Sequence, residues 1–175
     1  MACSLTTGRT IPCKSAVGGI KNIFFTDYGT LGTPTIVAGE ITGFTGSPNF
    51  FRFKVKGASS LETAINSSRE NGTTFYESTL TMALTFQDKA TQEELKLIAH
   101  ARPHVAVEDY NGNFFLVGLE HGAEVTGGTI STGAAMGDLS GYNLTIVAQE
   151  TAPPYFTTPN AVTDDTSGVE IDPTA

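Results

Sequence analysis

The residues whose types and spacing could do chemistry are few: three histidines, two cysteines and some adjacent carboxylates in a chain of 175 residues. His100 and His104 are four apart, with Glu93 and Glu94 just upstream. On one helix that spacing would bring two imidazoles to a metal ion. Pro103 lies between them, and a proline ends a helix, so the two do not share a helical face. His121 is far along the chain. The reading is ordinary surface or packing histidines, with no metal site. Glu108 and Asp109 are neighbours at a strand end. A general acid/base pair needs two different environments and a cleft, whereas an aspartate before a turn serves that turn through its side-chain hydrogen bonds. Cys3 and Cys13 have no positioned histidine to activate them, and a structural zinc would need about four ligands. Free thiols in a reducing compartment are expected, with a disulfide between the two as the alternative. The stretch from Gly122 to Gly141 is rich in glycine but has neither phosphate-binding glycine pattern, and no helix follows it. It reads as a loop serving assembly or as a plain connection. No catalytic, cofactor-binding or metal residue is therefore expected, and the chain does not read as an enzyme.

The elements that would position such residues are mostly strands. Met1 to Gly19 reads as an irregular N-terminal arm. Strands are expected over Ile20–Tyr28 and over Thr35–Phe44, the latter with Gly39 as a bulge. Phe50–Lys56 alternates strictly: Phe51, Phe53 and Val55 point one way and Arg52, Lys54 and Lys56 the other. That outer face is the densest cationic stripe in the chain, a solvated surface or a contact to acidic neighbours. Thr73–Gln87 is the longest strand signal. It puts Tyr76, Leu80, Met82, Leu84 and Phe86 on one face and Glu77, Thr79, Thr81 and Thr85 on the other. A helix is expected over residues 91–101, capped by Thr91 with Glu94 as its capping-box partner, buried through Leu95, Ile98 and Ala99, and stopped by Pro103. His104–Glu108 and Phe114–Glu120 form a hairpin about Asn111–Gly112, two residues that tolerate positive φ. A short strand around Glu124–Ser131, a flexible loop around Gly133–Gly137 and a strand over Gly141–Gln149 follow. Pro153 and Pro154 end the domain. The helix sits between two blocks of strands, which is not the alternation of a parallel sheet. The fold class expected is mostly β: an antiparallel β-sandwich or barrel with one flanking α-helix.

Composition bounds the function. Charged residues are 16% of the chain, against about 25% in an ordinary globular domain, which suits a surface covered by neighbours. Lys and Arg number 10 against 18 Asp and Glu, a formal net charge of −8. An acidic chain does not grip phosphate non-specifically. Asp164, Asp165, Glu170 and Asp172 put half of that excess after Thr157, where no base follows. The segment 157–175 therefore reads as an acidic, disordered C-terminal tail, and residues 1–156 as one β domain with residues 1–19 as its arm. No charged region precedes an apolar one, so no signal peptide is expected. No apolar run approaches the ~20 residues of a membrane span.

Four segments resemble the tail tube proteins, or major tail proteins, of phages and phage-like particles. They are the strand NGTTFYESTLTMALTF (Asn71–Phe86), the helix TQEELKLIAHAR (Thr91–Arg102), the hairpin VAVEDYNGNFFLVG (Val105–Gly118) and GAAMGDLSGYNLTIVAQE (Gly133–Glu150). The opening, with SLTTGR, CK and GGIKNIFF, is similar to the start of some phage tail proteins. The resemblance implies a structural virion protein, folded in the host cytoplasm and located in the virion tail. Six copies would close into a ring by joining sheet edges, and rings would stack into a hollow tube through which DNA passes without specific binding. Its partners would be copies of itself and other tail proteins: sheath or baseplate, and terminator. No membrane insertion, cofactor or metal is implied. A neck, terminator or baseplate protein of similar fold is one alternative. A β-sandwich binding module is another, although the chain has no Trp and only 5 Tyr for a sugar platform.

Overall fold

A computed structural model describes residues 7–55 and 57–162. Cys3 and the acidic segment from residue 163 onward lie outside the described residues. The elements in chain order are β1 (Ile20–Thr26), β2 (Pro34–Val37), β3 (Glu40–Phe44), β4 (Phe51–Lys54), β5 (Ser60–Ser68), β6 (Thr73–Thr85), α1 (Lys89–His100), β7 (His104–Asp109), β8 (Phe114–Val117), β9 (Glu124–Ser131), β10 (Gly141–Glu150) and β11 (Tyr155–Thr157), with a 3-10 turn over Pro159–Ala161. They form a sandwich. One sheet has seven strands in the order β2-β3-β11-β8-β7-β1-β4, and the other has four in the order β5-β6-β10-β9. The fold is mostly β with one helix, as the residue pattern predicts. All strand pairs are antiparallel except β11 against β3, which is parallel.

The main core lies between the sheets. Ile23 and Phe25 of β1, Val105 and Val107 of β7, Leu80 and Met82 of β6, and Tyr142 and Ile146 of β10 fill it, with Leu95 and Ile98 of α1. A second core covers the opposite face of the seven-stranded sheet and contains Phe24, Leu31, Ile41, Phe50, Ala106, Leu116 and Val162. Both faces of β1 and β7 are thus dry, which is why their apolar residues run without alternation.

Several local expectations are corrected. Residues 35–44 are two strands, because Ala38 and Gly39 both take positive φ, 52° and 86°, and turn the chain back as a tight hairpin. Gly39 is in that turn and is not a bulge. Residues 60–68, with no strand assigned from the sequence, form β5, the partner of β6 along its length. Phe51 is 42% exposed. The buried aromatic next to it is Phe50, and Phe53 meets Phe25 edge-on at 5.2 Å. Phe86 leaves the β6 face with φ 72° and is exposed.

The helix starts earlier than expected. Asp88 is the cap, accepting from the Ala90 and Thr91 amides at 3.1 and 3.2 Å. Thr91 is therefore buried inside the helix and Ala99 is exposed. In the hairpin turn Gly112 has positive φ, and Asn111 does not. β10 ends at Glu150, and the Pro153–Pro154 pair after it does not end the domain. Beyond it β11 inserts between β8 and β3, and Ala161 and Val162 are buried. The folded part thus runs past the expected boundary at residue 156.

Candidate functional site

The residues singled out for chemistry are scattered. His100 ends α1 and is exposed, as are Glu93 and Glu94; Glu93 lies 4.0 Å from Lys96. His104 is buried at the start of β7. His100 and His104 thus stand in different settings, one exposed and one buried. Glu108 is buried and holds Lys21 at 2.9 Å and the side-chain amide of Asn22. Asp109 turns the hairpin: its carboxylate accepts from the backbone amides of Asn111 and Asn113 at 2.9 and 2.8 Å and from both asparagine side chains. Burial alone would raise its pKa, but the bonds from Asn113 and Asn111 prevail and hold it below the usual value. The two carboxylates serve different structures. Cys13 is an exposed free thiol.

The Gly133–Gly137 loop closes on itself. The Asp138 carboxylate accepts from the Ala134 and Ala135 amides at 3.0 and 2.8 Å, and those bonds lower its pKa. Gly141, where the chain enters β10, has no room for a side chain: a Cβ there would lie 2.0 Å from the Leu84 carbonyl oxygen.

One polar corner gathers what the linear pattern left apart. Arg102 donates to the His121 carbonyl at 2.7 Å and sits 4.8 Å above the ring of Tyr28. Tyr28 donates to the Glu120 carbonyl at 2.8 Å. Glu150, at the end of β10, accepts from the Glu120 and His121 amides at 3.1 and 2.9 Å. Side-chain donors of Glu120, His121 and Glu150 lie within 4.8 Å of one another, with Glu120 and His121 exposed. One Glu150 oxygen is engaged by both amides, so this carboxylate clasps the loop after β8. Gly122 permits that clasp, since a Cβ there would lie 2.8 Å from the Arg102 carbonyl oxygen. No sequence signal joins Tyr28, Arg102 and Glu150, because they come from three distant parts of the chain.

The other surface with a distinct chemistry is the outward face of the four-stranded sheet. The inward row Leu61, Leu80, Ile146 and Val125 packs on the main core. The alternate residues point away, including Glu62, Thr79, Val147 and Glu124 in one row and Thr81 beside Thr145 in the next. None of the strands β5, β6, β9 or β10 contains Lys or Arg, while Glu62, Glu77 and Glu124 lie on this face. Among the described residues β5 and β9 each pair on one side only. Their free edges expose Ile65 and Ile130 at 68% and 62%. No helix of the described residues is long and apolar enough to cross a membrane. Compared with known proteins, the chain matches no family model, no curated protein and no solved structure.

Proposed function

We propose that this chain is a structural subunit of a virion tail that assembles into a ring, six copies in the resembled family, and that stacked rings form a hollow tube for DNA. The observation that carries this reading is the pair of free edges on the four-stranded sheet. β5 is antiparallel to β6, β6 to β10 and β10 to β9, so β5 and β9 run in opposite directions. A rotation that brings β9 of one copy against β5 of the next therefore continues the antiparallel ladder without a reversal. Such a head-to-tail contact closes into a ring and removes both edges. Six copies would contribute about 24 strands. At about 4.8 Å between strands, the backbone wall is roughly 37 Å across before strand tilt widens it.

The outward face of that sheet then lines the lumen. Its carboxylates and threonines, with no base in the four strands, repel phosphate and let a duplex slide. The seven-stranded sheet, which carries Lys21, Arg52 and Lys54, faces other tail proteins, sheath or baseplate and terminator. The loop around Gly133–Gly137 is the contact between stacked rings.

The test is assembly. Wild type should give rings or tubes in electron micrographs and a heavy species in sedimentation. Ile65→Lys on β5 and Ile130→Lys on β9 place a charge at an exposed edge, which shields it. Each should leave stability within about 0.5 kcal/mol of wild type, as surface changes do, and abolish rings. A wild type that stays monomeric at high concentration, or edge variants that assemble like wild type, would overturn the reading.

A further inference from the structure

His104 is 2% exposed and has no role in the ring. Its Nδ1 lies 2.5 Å from the Gly118 carbonyl oxygen, and its Nε2 lies 3.1 Å from the Gly29 amide nitrogen. A carbonyl only accepts and an amide N–H only donates. The imidazole is therefore held neutral, with its proton on Nδ1 and its Nε2 lone pair taken by Gly29. The ring also stacks on Tyr28, centroids 5.1 Å apart, and Tyr28 is tied to the Glu120 carbonyl. One imidazole thus fastens the turn after β1 and the loop after β8 to the start of β7.

A second proton has no acceptor in this arrangement, because Nε2–H would meet the Gly29 N–H head-on. We propose that His104 is an acid-operated latch: taking a proton from solvent at Nε2, it breaks the bond to Gly29 and releases the Asp27–Thr30 turn, with Tyr28, from the corner. The groups that bear on this charge are Glu150, whose carboxylate favours it, and Arg102, whose guanidinium lies over Tyr28. Glu120 and His121 hold the corner through their backbone, and their side chains lie within 4.8 Å of the Glu150 carboxylate. Burial outweighs the Gly118 bond and Glu150 and holds the pKa of His104 below its ordinary 6.5. With the closed-state value lowered and the released value near 6.5, the latch is unaffected above 6.5. It loosens as pH falls from there to the closed-state value, and the loss levels off below it.

Amide exchange and imidazole resonances of the wild-type protein, followed from pH 8 to pH 4.5, test this. At pH 8 His104 should show the Nδ1–H tautomer and a slowly exchanging Gly29 amide. Between 6.5 and the His104 midpoint the Gly29 protection factor, corrected for intrinsic rate, should fall about tenfold per pH unit, the one-proton limit. His121→Ala should keep that response, and His104→Phe, which cannot titrate, should lose it. Gly29 protection that stays flat while His104 titrates, a His104 midpoint at or above 6.5, or an unchanged response in His104→Phe would each overturn the latch. Assembly is not part of the readout, so failure here leaves the ring reading untouched.

Discussion

Single side chains in this protein do their work by closing backbone ends. Asp88, Asp109, Asp138 and Glu150 each take two backbone amides, so Asp109, the one of them that looked like a candidate for chemistry, is a turn former. Asp88 was the least visible of them. Thr91 followed by Glu94 offers a complete capping box by spacing, but the chain leaves β6 at Thr85 and has only three residues before Lys89 enters the helix. The residue at that boundary becomes the cap whatever lies beyond it. Asp88→Ala should therefore destabilise the protein by roughly 0.5–2 kcal/mol. Thr91→Ala should not remove a cap bond, since the Thr91 contribution is its amide. Denaturant melts of the two variants decide between them, and a larger loss for Thr91→Ala would refute Asp88 as the cap.

At the scale of elements, the sequence patterns worked for strands with one wet face and for the dry β1 and β7, and failed where both faces are largely exposed. β6 and β10 alternate and were placed to within two residues. β5 did not announce itself, because Ile65 is exposed and only Leu61 of its apolar residues packs on the core. The β2–β3 hairpin hid for another reason. Ala38 occupies a left-handed position, φ 52°, which Asn or Gly would normally signal. That strain gives a direct check: Ala38→Asn, at an exposed site, should raise stability by about 0.5–1 kcal/mol relative to wild type. An unchanged or lower thermal midpoint would mean that the turn is not of the positive-φ type.

At the scale of the whole molecule, the two cores divide the labour. The first joins sheet to sheet; the second seals the far face of the seven-stranded sheet with segments that carry little regular structure, among them the chain after β11. Removing residues 159–175 would strip Val162, 5% exposed, from that second core. Truncation after Thr158 should cost about 1.5–3 kcal/mol, the worth of one buried valine, read as a lower unfolding midpoint. An unshifted midpoint would show that the second core closes without Val162. The same comparison bears on what was legible beforehand. By itself the sequence determined the mostly-β class, the single helix, the Asp109–Asn113 hairpin turn and the two long strands of the four-stranded sheet. Each of these depends on local chemistry: period-two alternation, a proline stop, or a turn former next to glycine. Only the tertiary structure decided which strands share a sheet and that residues beyond Pro154 belong to the domain. It also decided that Tyr28, Arg102, His104 and Glu150 meet at one corner and that β5 and β9 are left as opposed edges. These depend on contacts between residues far apart in the chain, where a strand's partner is chosen by the area buried on docking and not by any pattern within the strand.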